Sequence, residues 1–117
     1  FVEDYNFKTR KGNISAYEIS PSGHKNLGVV LDEEFHLSYP FLFEYDNNIF
    51  MCPETHEKEE IRLYKCLEFP NKWKFYKTLM SGVSAVDTNI FEYNNKWWMF
   101  TNMVDHNSQL HIFYSRQ

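Results

Sequence analysis

An internal repeat constrains this chain more than any other feature. Leu42-Phe43-Glu44-Tyr45-Asp46-Asn47-Asn48-Ile49-Phe50-Met51 returns in kind as Ile90-Phe91-Glu92-Tyr93-Asn94-Asn95-Lys96-Trp97-Trp98-Met99, an offset of 48 positions (90 minus 42). Each copy reads apolar, Phe, Glu, Tyr, Asp or Asn, Asn, then an apolar run closing on Met. Further along, Leu63-Tyr64-Lys65 corresponds to Phe113-Tyr114-Ser115 at an offset of 50 (113 minus 63), the extra length falling in the loop around Asp105 to Ser108. Repeats of this period mark supersecondary units that cannot bury their apolar faces alone and stack on copies of themselves.

The local pattern says what the unit is made of. Short apolar or alternating runs occur at Ile14 to Ile19, Leu27 to Leu31, Tyr39 to Tyr45, Ile49 to Cys52, Ile61 to Leu67, Trp73 to Leu79, Val86 to Tyr93, Trp97 to Thr101 and Leu110 to Tyr114. Turn-forming clusters separate them at Ser20-Pro21-Ser22-Gly23, Asp46-Asn47-Asn48, Thr55-His56-Glu57-Lys58, Pro70-Asn71, Asn94-Asn95 and Asp105-His106-Asn107-Ser108. No window carries a sustained helical stripe. Aromatic residues make up 19% of the chain, and flat rings suit pleated, half-buried surfaces. With only four Gly and four Pro, the turns must lean on Asn, Asp and Ser.

Each unit therefore reads as strand, tight turn, strand, longer loop, strand, with a fourth strand around Trp73 to Leu79 in the first unit. This matches the roughly 40–50-residue blades of β-propellers. The expected fold is all-β: a propeller fragment of about two blades plus the outer strands of a third. Residues 1–35 would end a preceding blade and link it onward, 36–80 would form a complete blade, and 81–117 an incomplete next one. A two-sheet sandwich or barrel built from duplicated hairpins is the competing architecture.

Charge and composition narrow the partners. The formal net charge is −4 and the basic residues are scattered, so the electrostatic footprint of a nucleic-acid binder is missing. No run approaches the roughly 20 apolar residues of a membrane span. Cys52 and Cys66 lack CxxC spacing and read as small hydrophobes, with a disulfide as the alternative. His56, His106 and His111 have no metal-ligand spacing, and no phosphate-cradling loop or nucleophile elbow occurs, so no metal or cofactor is expected.

Propellers hold ligands at the axis, where the innermost strands begin. The repeat places Tyr39 and Asp87 in equivalent positions there (87 minus 39 is again 48). Asp87 interrupts an apolar strand start, where strand propensity disfavours it, and reads as a base or hydroxyl acceptor, or else as a turn cap. Glu54, held after Pro53 at a strand end, suits acid–base work or a sugar hydroxyl. His36, Ser38 and Tyr39 form a polar and aromatic cluster leading into the same blade. Trp97 and Trp98 are adjacent and must face opposite sides of a strand, one into the core and Trp97 a candidate for blade packing or sugar stacking.

These residues resemble a known family. His36-Leu37-Ser38-Tyr39-Pro40-Phe41, Pro53-Glu54-Thr55, Ile61-Arg62-Leu63-Tyr64, Phe69-Pro70-Asn71-Lys72-Trp73, Val86-Asp87-Thr88 and Lys96-Trp97-Trp98-Met99-Phe100 look like the N-terminal domain of glucosamine inositolphosphorylceramide transferases and their bacterial relatives. That domain is similar to the five-bladed propellers of glycoside hydrolase family 43. The resemblance implies a carbohydrate-directed propeller with Glu54 and Asp87 as axis-facing carboxylates and a carbohydrate or glycoconjugate as partner. It also implies a fused catalytic domain, of glycosyltransferase or formyltransferase type, outside this chain. Three functions stay open: a glycoside-hydrolase-like domain, a non-catalytic sugar-recognition module, and a structural interaction domain. For hydrolysis the two carboxyls would stand roughly 5–5.5 Å apart with retention or 6.5–9.5 Å with inversion. Thr88 stands where many of those hydrolases carry Pro, and a third acidic residue would be needed from elsewhere, so this segment alone is expected to be inactive.

Overall fold

Among the described residues every ladder joins strands that are neighbours in the chain, so the fold is assembled from local antiparallel hairpins. The computed structural model describes residues 1–104 and 109–116; the expected turn Asp105-His106-Asn107-Ser108 lies outside these described residues. The first sheet comprises β1 (Val2–Asn6), β2 (Lys11–Ser20) and β3 (Gly23–Leu31). The second holds β4 (Ser38–Tyr45), β5 (Asn48–Glu54), β6 (Glu60–Glu68) and β7 (Lys72–Ser81). The third holds β8 (Ala85–Tyr93), β9 (Lys96–Met103) and β10 (Gln109–Ser115). Thus three sheets form, one more than the sandwich alternative requires. One complete 3-10 turn, His56–Lys58, lies among the described residues.

The repeated Asp/Asn turns explain why the second and third sheets start alike. Asp46 and Asn47 adopt φ of 48° and 57°, and Asn94 and Asn95 adopt 52° and 56°. Two-residue hairpin loops of type I′ need φ > 0 at both central residues, and Asn and Asp tolerate that region better than other side chains. Tyr45 consequently pairs with Asn48 and Tyr93 with Lys96, which sets the register of both hairpins.

Two apolar cores hold the sheets face to face. Ile14, Leu31, Leu37, Met51 and Tyr64 fill the space between the first and second sheets. Cys52, Ile61, Leu63, Ala85, Ile90 and Met103 fill that between the second and third. β5 and β6 serve both cores because successive strand residues point to opposite faces: Met51 looks one way and Cys52 the other, each fully buried. Cys52 and Cys66 are both free thiols, and burial pushes the Cys52 thiol up to about 12.

The first and second sheets are also bolted through polar groups. Tyr64 donates its hydroxyl to Glu33 Oε1 at 3.1 Å, while Lys11 pairs with Asp32 at 2.8 Å and donates to the Glu33 carbonyl. Burial, reinforced by the Glu33 charge, raises the Tyr64 phenol well above its ordinary pKa. Gly12 is a forced glycine. A Cβ there would lie 2.5 Å from the Leu37 carbonyl oxygen and 2.7 Å from His36 Cε1, because the Leu37 amide donates to the Gly12 carbonyl at 3.0 Å.

A strained rim shared by two repeats

β4 lies at the junction of the stack, in contact with both β1 and β8. Near the start of β4 and of β8 the ladder slips, between Ser38 and Phe41 and between Val86 and Asn89. Inside those slips Tyr39 and Asp87 take left-handed φ values of 43° and 54°. That region costs an L-residue roughly 1–2 kcal/mol, and for a bulky side chain such as Tyr it is a true outlier. The equivalence read from the 48-residue offset is therefore also an equivalence of backbone shape.

The two bulges touch. Tyr39 donates its hydroxyl to Asn89 Oδ1 at 3.3 Å, and Asn89 Nδ2 donates to the Asp87 carbonyl at 2.9 Å. Beneath them Thr88 and Thr101 meet at 2.7 Å, and Thr101 Oγ1 donates to the Val86 carbonyl at 3.0 Å. The Asp87 carboxylate is exposed and, among the described residues, makes no hydrogen bond or ion pair. The Tyr39 ring is 41% exposed beside it.

Glu54 pairs in register with Ser38, which puts it at the same end of the second sheet. Its side chain is only 13% exposed, and its Oε1 lies 2.9 Å from His56 Nδ1. That contact has ion-pair distance but falls off the line of a hydrogen bond, leaving His56 Nδ1 buried without one. The 3-10 turn that carries His56 is fixed by the buried Thr55, whose hydroxyl donates to the Glu60 carbonyl at 2.5 Å and whose carbonyl accepts from the Lys58 amide at 3.0 Å. Metal-ligand spacing alone does not single out His56. The signal that would have is its position two residues after a candidate acid, across a Thr that stiffens the turn.

His36 is engaged on every polar edge. Its Nδ1 accepts the Gly12 amide at 2.8 Å, which leaves the ring proton on Nε2, facing Glu3 Oε1 at 3.5 Å. The His36 backbone amide donates to Glu57 Oε2 at 2.8 Å. Ser38 is buried at the start of β4.

Trp97 lies elsewhere. It pairs with Glu92, five positions beyond Asp87 along β8 and hence roughly 16 Å away at strand rise. Its ring packs on Phe43 at 5.6 Å and edge-on to Tyr45 at 5.3 Å, between the second and third sheets. The structure thus brings Ser38, Tyr39, Glu54 and Asp87 to one end, fastens His36 behind them, and leaves Trp97 at the other. Among the described residues no three His, Cys, Asp or Glu gather as a metal ion would require, and no helix is long and apolar enough to cross a membrane.

Fold and rim together define an all-β repeat domain: three stacked antiparallel sheets whose strained edge carries the exposed Asp87 carboxylate. More particularly, the chain belongs to the family "Glucosamine inositolphosphorylceramide transferase 1, N-terminal", which matches residues 1–117. Among its relatives are glucosamine inositolphosphorylceramide transferase 1 of Oryza sativa subsp. japonica, 36% identical over 122 residues, and that of Arabidopsis thaliana, 35% identical over 124. Both alignments cover 98% of this chain and 16% of the relative, so the chain spans about 16% of the length of the curated relatives it matches. No solved structure matches it.

Proposed function

We propose that this chain is part of a β-propeller, similar to those of glycoside hydrolase family 43. In this reading the start of β4 and β8 grips the carbohydrate portion of a glycoconjugate on behalf of transferase chemistry carried elsewhere in the protein. The observation that carries the reading is the pair of left-handed bulges at Tyr39 and Asp87, set side by side and linked through Asn89. Backbone strain of this kind persists where surrounding structure enforces it, and it concentrates at ligand sites. Stacking of three sheets through two cores, with β4 beside β8, supports blades arranged around an axis.

In this reading Asp87 accepts hydroxyl or ammonium protons from the sugar and the Tyr39 ring covers an apolar sugar face. Ser38 is buried beneath the rim, His36 holds the first sheet against it, and Trp97 serves packing between blades. Recognition is favoured over hydrolysis because only one carboxylate is unencumbered: Glu54 is engaged by His56, whereas Asp87 stands free. The names of the relatives suggest the probe. Calorimetric titration of the full-length protein with glucosaminyl-inositol phosphate should give saturable binding, weakened about tenfold by Asp87→Asn, the scale of one charge-assisted hydrogen bond. Unchanged affinity in both Asp87→Asn and Tyr39→Ala would sink the rim as the site.

A further inference from the structure

The peptide units on both sides of Asp87 are held by side chains rather than by the ladder. Where the register slips between Val86 and Asn89, the strand partner no longer opposes these residues one to one. Thr101 Oγ1 takes the Val86 carbonyl at 3.0 Å, and Asn89 Nδ2 takes the Asp87 carbonyl at 2.9 Å. Thr101 has one hydroxyl proton and spends it on Val86, so in the 2.7 Å contact between the two threonines Thr88 is the donor. Both hydroxyls are buried, Thr88 at 3% and Thr101 at 1% exposure, so this chain of bonds is shielded from competing water.

The other repeat supplies an internal control. Its bulge at Tyr39 has the same slip and the same left-handed backbone. Yet the positions 48 earlier than Thr88, Asn89 and Thr101 are Pro40, Phe41 and Pro53, none of which can donate a side-chain hydrogen bond. A bulge at this point of the unit therefore does not need polar bracing to form. Bracing is present only where the bulge carries a carboxylate.

We infer that Asn89 and Thr101 are positioning residues that fix the direction of the Asp87 carboxylate at the rim. The inference rests on the rim being the carbohydrate site. Thr101 acts through Asp87; Asn89 does so too while also holding the Tyr39 hydroxyl, and neither need touch the ligand.

The test is a double-mutant cycle in the full-length protein, titrated with glucosaminyl-inositol phosphate. Asn89→Ala and Thr101→Val should each weaken binding about three- to tenfold, the scale of one lost hydrogen bond, and Thr101→Ser, which keeps the hydroxyl, should restore it. In an Asp87→Asn, Tyr39→Phe background, which removes both groups these residues hold, the same changes should add less than about twofold, because residues acting through shared groups couple instead of adding. Equal losses in both backgrounds would mean a general structural role and would overturn the inference. The two readings fail separably. If Asp87→Asn and Tyr39→Ala both bind like the parent, the rim is not the site; if Asp87→Asn is weak but Asn89→Ala and Thr101→Val are not, the positioning role is wrong. A ligand-free readout decides positioning in either case: with the left-handed bulge kept, the backbone amide order parameter at Asp87 should fall in both variants as the braced peptide units loosen, and an unchanged order parameter overturns the inference.

Discussion

The second and third sheets are one strand-turn-strand device laid down twice, and they diverge at a single end. At the turn end both use two left-handed Asp or Asn residues and both follow with an apolar strand ending in Met. At the rim end Tyr39 faces Asp87, Pro40 and Pro53 face Thr88 and Thr101, and Glu54 faces Asn102. Turn positions answer to backbone sterics, which leave few residue choices, so they stay alike. Rim positions answer to whatever is bound or braced there, and each repeat contributes a different carboxylate at a different place.

The largest test of this comparison lies in the cores. Met51 is fully buried between the first and second sheets, while its repeat partner Met99 is half-buried. Met51→Ala should cost about 2–5 kcal/mol and Met99→Ala less than half as much, read from urea midpoints at constant slope. Next comes the first sheet's attachment. Gly12→Ala would drive a Cβ into the Leu37 carbonyl and the His36 ring, and should cost about 1–3 kcal/mol by the same assay.

A smaller and opposite effect is expected at the rim. Asp87→Gly relieves the left-handed strain at φ of 54°, so it should raise stability by about 1 kcal/mol while abolishing the proposed carbohydrate binding. A destabilised Asp87→Gly would show that the bulge is unstrained and would weaken the functional reading. The smallest effect distinguishes the sheets by pH. Glu60 is held below the ordinary carboxylate range chiefly by its hydrogen bond from Arg62 Nε at 2.5 Å, with Thr78 helping. Its contribution is complete above the ordinary value of 4.5 and is lost as pH falls through the lowered one. Glu60→Gln should therefore flatten the acid limb of the stability profile. The corresponding positions of the third sheet, Leu110 and Ile112, carry no such pair, so charge there has nothing to lose.

Much of this fold was readable in the residues. The nine runs of apolar or alternating residues all lie on strands, and the Asp-Asn and Asn-Asn pairs form the expected turns, because period and turn chemistry are local properties. β1 was not readable. Val2-Glu3-Asp4-Tyr5-Asn6 is exposed at every position and shows no apolar alternation, and it is held as a strand by its ladder to β2. The Thr55 to Lys58 turn was placed correctly, but its 3-10 form and the delivery of His56 to Glu54 depend on the Thr55 and Glu60 contacts, which are tertiary. At the rim, the offset alone paired Tyr39 with Asp87. Asn89 and Thr101 stayed invisible because their roles rest on a register slip, and neither residue type is unusual in a strand. Trp97 illustrates the converse: its chemistry suited a sugar platform, and the strand direction carried it to the opposite end.

The purely local pairing of the strands bears on how such a chain is born. Each hairpin can close as soon as its second strand leaves the ribosome, with no distant partner to await, and low sequence separation of this kind favours rapid formation. The sheets would then zip in order of synthesis. β5 and β6 are the exceptions that set the tempo, since one face of each packs on the first sheet, already made, and the other on the third, still to come. Until β8 and β9 arrive, the Cys52, Ile61 and Leu63 side is a sticky intermediate surface, and a nascent-chain chaperone would find its hold there.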